Sequence, residues 1–464
     1  MPDCSSFTCS PAPLTRPARF ARWMRDHSSL IRRIQWGVVA VYLFLIIVPA
    51  LRPLPDDHAR ILNDLTTFAQ FLFWGIWWPF VLVSMLLIGR SWCGVFCPEG
   101  ALSEWASQHG RGGAVPKWAK WGGWPFVAFC LTTIYGQLVS VYQYPKAALL
   151  VLGGSTVAAM AIGLFYGKGK RVWCRHLCPV SGVFGLLAKL SPVYMRVDRQ
   201  RWQHTSTGRV IPINCAPLVD IRRMQGASDC HLCGRCAGHR DAVELVARRP
   251  NAEITSASSP TPSAWELVLL VYGLLGVAIG AFQWTNSTWF IAAKQGMAEW
   301  LIERDILWPL NDNAPWWLLT HYPERNDSFS WLDGGMIVAY ILAVAIILGS
   351  WILLWLTISA ACQQGPLKDR LLRTSDTLIP MAACGVFLGL SALTASLLKA
   401  EHLSMLWLGP TRAALLGLAT LWSAWLLWKQ TQPQPMIHRI LAWLAVSPAW
   451  AGVLYSWILL FWLW

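Results

Sequence analysis

Uncharged apolar stretches recur along the chain at the length that crosses a bilayer core, about 17–25 residues. They fall at 34–50, 68–88, 124–142, 147–166, 265–282, 336–360, 377–398, 407–428 and 440–462, with Pro410 and Arg412 near the start of the eighth. This pattern predicts an all-α polytopic membrane protein of about nine transmembrane helices. A further apolar piece, Val183–Leu190, is too short to span and is expected to lie in the interface as an amphipathic helix.

Composition agrees. Of 464 residues, 55% are hydrophobic and 13% charged, whereas a soluble domain carries about 25% charged residues. So few charges cannot cover a soluble surface of this size. The same figures exclude disordered, collagen-like and small disulfide-rich secreted chains. The excess of basic over acidic residues, 38 to 24, is what cytoplasmic loops of a membrane protein carry. No basic patch interleaved with aromatics calls for nucleic acid.

The charges also orient the chain. Residues 1–33, with Arg16, Arg19, Arg22, Arg25, Arg32 and Arg33, read as a basic, partly disordered cytoplasmic leader. Segment 195–250 holds ten Arg, no Lys and five acids, and falls on the same side. Segment 286–333 holds three basic and seven acidic residues and falls outside, while Lys368, Arg370, Arg373, Lys429 and Arg439 return inside. Four regions result: the leader; a four-helix membrane domain, 34–194; a cytoplasmic insert and Ser/Thr/Pro-rich linker, 195–262; and a five-helix membrane domain, 263–464, with the outer segment 286–333. The expected location is the inner membrane, multi-pass, with the lipid bilayer as one partner.

Within the first membrane domain the sequence repeats. GRSWCGVFCPEG (89–100) and GKRVWCRHLCPVSG (169–182) both contain Arg-x-Trp-Cys-x-x-x-Cys-Pro, and each follows a span running in the same direction. The repeated unit is a two-span hairpin ending in a dithiol. Cysteines four residues apart share one helical face. Trp92 and Trp173 are expected at the membrane interface, and Arg90 and Arg171 as stabilisers of thiolates.

The cysteines carry the chemistry. Of 13, Cys230, Cys233 and Cys236 form C-x2-C-x2-C in DCHLCGRCAG, with Cys215 fifteen residues upstream in INCAPLVD. Three thiolates at this spacing wrap three corners of a cubane iron–sulfur cluster, while zinc prefers paired C-x2-C units. The reading is one 4Fe–4S cluster on Cys215, Cys230, Cys233 and Cys236, in a ferredoxin-like insert. Cys93, Cys97, Cys174 and Cys178 supply a second shared centre, for which a cluster, copper and free dithiols stay open. Cys4, Cys9, Cys130, Cys362 and Cys384 stand alone as buried or surface thiols. There is no C-x-x-C-H, Walker A, G-x-S-x-G, H-E-x-x-H or Rossmann fingerprint, so covalent haem, hydrolase and ATPase chemistry are not indicated.

The hairpins ending Trp92-Cys93-Gly-Val-Phe-Cys97-Pro98 and Trp173-Cys174-Arg-His-Leu-Cys178-Pro179, followed by the Cys-rich insert, resemble the membrane-anchored polyferredoxins. These include the NapH type, the C-terminal part of the NosR type and, more distantly, CcoG. The resemblance covers about residues 30–250. It implies electron delivery from quinol or the cytoplasm toward periplasmic redox or copper enzymes. This insert keeps one cluster motif where those proteins usually keep two, and the spans from 265 onward have no counterpart there.

The function expected is therefore electron transfer: an iron–sulfur protein relaying electrons between redox donor and acceptor proteins or quinone. It would be a component of an oxidoreductase system rather than a stand-alone enzyme. Copper reduction or metalloenzyme assembly, and redox sensing, are the alternatives.

Overall fold

The computed structural model describes residues 14–56, 58–204 and 212–464. Cys4, Cys9 and the first part of the leader lie outside the described residues.

The architecture is mostly helical. Among the described residues, seven helices are long and apolar enough to cross a membrane: Ser28–Ala50, Leu65–Ile88, Pro145–Tyr166, Ala264–Gln283, Trp331–Ala361, Leu367–Ala400 and Met436–Leu463. The other two expected spans are helical but fall short of that measure. Trp124–Leu138 has 15 residues, closed by a turn at Ser140 with φ 49°. Leu408–Gln430 has 23, but Arg412, Lys429 and three Trp dilute its Leu and Ala.

Local chemistry starts these helices. The Asp64 side chain accepts from the Thr67 amide at 2.8 Å, and Ser263 with Glu266 and Ser330 with Asp333 form reciprocal capping boxes. Where apolar burial cannot drive helices together, close backbone approach does. A Cβ on Gly276 would lie 2.9 Å from the Ala345 Cα, so this pair of helices meets only through glycine.

Among the described residues, four of these helices contain π-helical turns, at Phe71–Trp77, Leu149–Gly153, Leu269–Val277 and Leu459–Leu463. The first three supply wall residues (Trp74, Leu152 and Leu274 among them) to one internal cavity. Such turns rotate side chains out of the regular helical register and gather at functional sites.

The two polar segments sit at opposite ends of the bundle. At one end Tyr144 stacks on Tyr322, with centroids 3.6 Å apart, and the Thr320 amide donates to the Leu138 carbonyl at 2.8 Å. At the other end Trp121 packs on Trp265, and Gln430 donates to the Ile254 carbonyl. Both C-x3-C-P motifs and the insert lie at this second end. One core joins the halves: Trp92, Cys93, Phe184 and Leu187 bury with Ile352, Leu427, Val446 and Trp457.

Three sequence expectations change here. The helix Ser181–Ala188 is not interfacial, since Val183, Phe184, Leu186 and Leu187 are buried in that common core. Trp92 leaves the interface too, packing edge-on against Trp77 and Phe80 inside the bundle. Apolar periodicity cannot distinguish a face that meets lipid from one that meets protein. The insert, in turn, shows no clear ferredoxin fold. Among the described residues it is a two-stranded antiparallel sheet, Val193–Val197 against Val243–Ala247, which closes the base of a long loop carrying the cysteines.

The described part of the leader is ordered against this insert. Thr15 and Pro17 start a helix, Arg16–Asp26, whose Ala21 buries with Met195, Cys230, Leu232 and Val243. Arg25 donates to the Ala237 carbonyl at 2.7 Å, and Met24 lies over Gly234.

Candidate functional site

Each C-x3-C-P copy is a break between helices. In the first, Cys93 lies in the wide turn Trp92–Phe96, and Cys97 becomes the N-cap of Pro98–Gln108, its sulfur accepting from the Gly100 amide. Pro98 suits the first helical position because that amide has no helical partner anyway. In the second, Cys174 lies in the short helix Val172–His176, and Cys178 follows it ahead of Pro179.

The four sulfurs of the two copies come together. Cys93, Cys97, Cys174 and Cys178 line one end of a single cavity of about 230 Å³. Burial pushes the Cys97 thiol well above its ordinary pKa, and Cys174, Cys93 and Glu99 push it further. Cys178 is raised by burial and by Glu99, Cys174 and Cys97, and Cys174 is pushed up to about 12. Thiols so placed stay protonated unless a bound cation compensates their charge.

The insert makes the second set. Burial raises Cys236, and Cys230, Cys233 and Cys215 raise it further. Cys230 is pushed up to about 12 by burial and Cys233. Cys215 is raised by burial and by Cys233, while the Val219 amide lowers it. Among the described residues no group of three His, Cys, Asp or Glu is set to hold a single metal ion. A cubane spaces its ligands more widely, because each thiolate binds a different iron.

The sets are adjacent. A Cβ on Gly94 would run into the His231 carbonyl oxygen and lie 2.9 Å from the Cys233 nitrogen, so the first copy touches the insert loop through bare backbone. Gln35 donates to the Gly94 carbonyl at 2.9 Å and fixes that turn from the first long helix.

The two repeated arginines cross over. Arg171 of the second copy donates to the Cys93 carbonyl of the first at 2.7 Å and to Glu104 at 2.8 Å. Arg90 of the first copy donates to Ser181, just past the second, at 2.8 Å and to the Ser228 carbonyl of the insert at 2.7 Å. Both are buried. They act on the thiols as expected, since both lower the pKa of Cys174 against its burial. Their anchoring is to backbone, hydroxyl and carboxylate groups.

Among the described residues, three buried nitrogens around these sets lack partners: the guanidinium donors Arg171 Nη2 and Arg90 Nε, and His231 Nδ1. Burial, with Arg90, Arg171 and Arg175 nearby, holds the His231 imidazole neutral. Orphaned donors around paired thiol sets fit a sulfur-rich anionic group, whose sulfides accept hydrogen bonds.

Sequence reasoning missed two carboxylates. Glu99, in the helix turn after Cys97, faces the cavity and accepts from the Trp173 indole at 3.3 Å. Glu104, one turn further, accepts from both Arg171 and Arg235. The spacing Cys97-x-Glu99 was the available signal for the first. Nothing local marks the second, whose partners lie 67 and 131 residues away.

A helical bundle that brings two groups of four cysteines side by side, with Cys93, Cys174 and Cys230 buried and the other five half-buried, has the ligand chemistry that iron–sulfur clusters use. Residues 70–114 and 151–196 each match the family model of a 4Fe-4S binding domain, so the chain carries that domain twice, once around each C-x3-C-P motif. Neither match extends to 215–236. The chain is also distantly similar to two curated proteins. It is 22% identical over 43% of its length to YccM of Escherichia coli (strain K12), whose name describes an electron transport protein. It is 28% identical over 35% of its length to the regulatory protein NosR of Pseudomonas aeruginosa. The matches span 62% and 25% of those relatives, less than two thirds of either. No solved structure matches the chain.

Proposed function

We propose that the chain is a membrane-bound electron-transfer protein with two 4Fe–4S centres side by side at the cytoplasmic face of the inner membrane. Cys215, Cys230, Cys233 and Cys236 hold one, and Cys93, Cys97, Cys174 and Cys178 the other. When bound, such clusters accept and release one electron at a time without breaking bonds. The chain's own part is to supply thiolates, exclude water and place the sites in contact. The observation that carries this reading is the Gly94–His231 contact, where the turn of the first C-x3-C-P copy meets the insert loop backbone to backbone.

The orientation rests on the Arg-rich insert, and nine crossings on continuity. Residue 88 ends at the cysteine end and residue 145 begins at the other, so Trp124–Leu138 must traverse between them. Leu408–Gln430 returns the chain in the same way.

The donor and acceptor are redox proteins or a lipid-soluble quinone. The aromatic cavity beside Cys97 and Glu99, walled by Trp74, Trp78 and Phe282 from both membrane halves, offers the latter a place to dock.

Anaerobic purification with iron, sulfide and copper analysis tests the reading. About four iron and four sulfide per four-cysteine set are expected, with reducible signals in electron paramagnetic resonance. Copper without sulfide on the C-x3-C-P set would replace the relay with metal handling.

A further inference from the structure

We propose that Arg171, counterweighted by Glu104, sets the reduction potential of both four-cysteine centres at once. This rests on the reading of those sets as iron–sulfur sites.

Arg171 is attached to all three parts of the assembly. Its Nη1 donates to the Cys93 carbonyl of the first copy. Its backbone amide donates to the Ala216 carbonyl, next to Cys215, at 2.7 Å. Its own chain leads directly into the helix carrying Cys174. The residue is 1% exposed, so water does little to screen its charge. That charge acts on the thiols of Cys174 and Cys233, one from each set, and its Nη2 is left without a partner.

Glu104 opposes it. The carboxylate accepts from Arg171 Nε at 2.8 Å and from Arg235 Nη1 at 2.7 Å, and Arg235 belongs to the cysteine loop itself. Two guanidiniums against one carboxylate leave a net positive charge at the junction. Adding an electron to a centre makes it more negative, so fixed positive charge favours the reduced form and fixed negative charge the oxidised one. Arg90 lacks such a counterweight, being held by a hydroxyl and a carbonyl. The adjustable element is therefore the Arg171–Glu104 pair, and its position gives both centres the same adjustment.

A redox titration of the full-length protein in detergent, poised with dithionite and mediators and read by electron paramagnetic resonance, tests this. Iron and sulfide are counted in each variant. Arg171→Gln should shift both midpoints to lower potential by at least a tenfold change in the reduction equilibrium, about 59 mV for a one-electron couple. Glu104→Gln should shift both upward, and Arg171→Lys, which keeps the charge, should restore most of the loss. Opposite signs cannot come from loosened packing. If Arg171→Gln does not assemble, Glu104→Gln together with Arg235→Gln decides: the first must raise the potentials and the second lower that of the insert centre. Shifts of one sign in all variants, a response confined to one centre in Glu104→Gln, or unchanged midpoints would overturn the proposal. Absence of clusters from the wild-type protein would instead overturn the reading on which it rests.

Discussion

Gly94 and His231 meet backbone to backbone, the Cβ position of the one falling on the carbonyl oxygen of the other. The contact joins the first C-x3-C-P turn to the insert loop, and it exists only because residue 94 has no side chain. Gly94→Ala must push the loop away. Overpacking of this kind costs about 1–3 kcal/mol. The variant should unfold at lower temperature and bind less iron. Gly37→Ala is the control, because a Cβ there meets nothing within 4 Å. In a helix interior it should be neutral or stabilising by up to about 1 kcal/mol. Equal behaviour of the two variants would show that the junction does not matter.

The C-x3-C-P motifs should act as one site. Each alone offers two thiolates, too few for the Cys4 set of a cubane. Cys93→Ala, Cys178→Ala and the double variant should therefore lose the same iron and the same signal, with no further loss in the double, because members of one site fail together. Cys233→Ala should remove a different signal and leave the first in place. Additive losses from Cys93→Ala and Cys178→Ala would mean two separate dithiols.

What the sequence made legible follows from what sequence patterns encode. Duplication of Arg-x-Trp-Cys-x-x-x-Cys-Pro after spans of equal direction places both dithiols at one face, and in the structure they line one cavity. The spacing of Cys230, Cys233 and Cys236 likewise fixes a local wrap, with Cys215 beside it. The crossing of Arg90 and Arg171 was not legible, because each reaches toward the other copy and hydrogen bonds across 78 or 91 residues leave no local trace. Nor was the burial of Phe184 and Trp92, since lipid and protein interiors accept the same residues. The ferredoxin-like expectation for the insert rested on the cysteine spacing alone, which constrains the ligand loop and not the chain around it.

Orientation has its own test. The Arg-rich insert and the acidic segment 286–333 lie at opposite ends of the bundle, with Ala237 against the leader helix at one end and Tyr322 against Tyr144 at the other. Alkaline phosphatase fused after residue 320 should be active, and after residue 240 inactive. The reverse pattern would turn the protein over and move both cysteine sets to the outer face.

The Glu104 carboxylate gives a pH signature. Burial by itself would raise its pKa, but Arg171 and Arg235 outweigh burial and hold it below the ordinary carboxylate range. A group whose pKa is depressed in the folded state binds its proton more readily when unfolded. Its contribution to stability is therefore complete above the unfolded value, about 4.3 for Glu, and is lost as pH falls through the lower folded value. Glu104→Gln should then be less stable than the wild type at pH 7 and pH 6 by the same margin. The margin should shrink below about pH 4, where the wild-type carboxylate also gains its proton. Breaking a buried pair on one side typically costs about 3–5 kcal/mol. Here Glu104 keeps some exposure at 14%, and Arg171 retains its bond to Cys93, so a smaller loss is expected. Thermal unfolding in detergent, followed by tryptophan fluorescence across this pH range, measures the margin directly. A difference that stays constant down to pH 3 would show that the variant acts through packing and that the Arg171–Glu104–Arg235 charges do not hold the insert to the bundle.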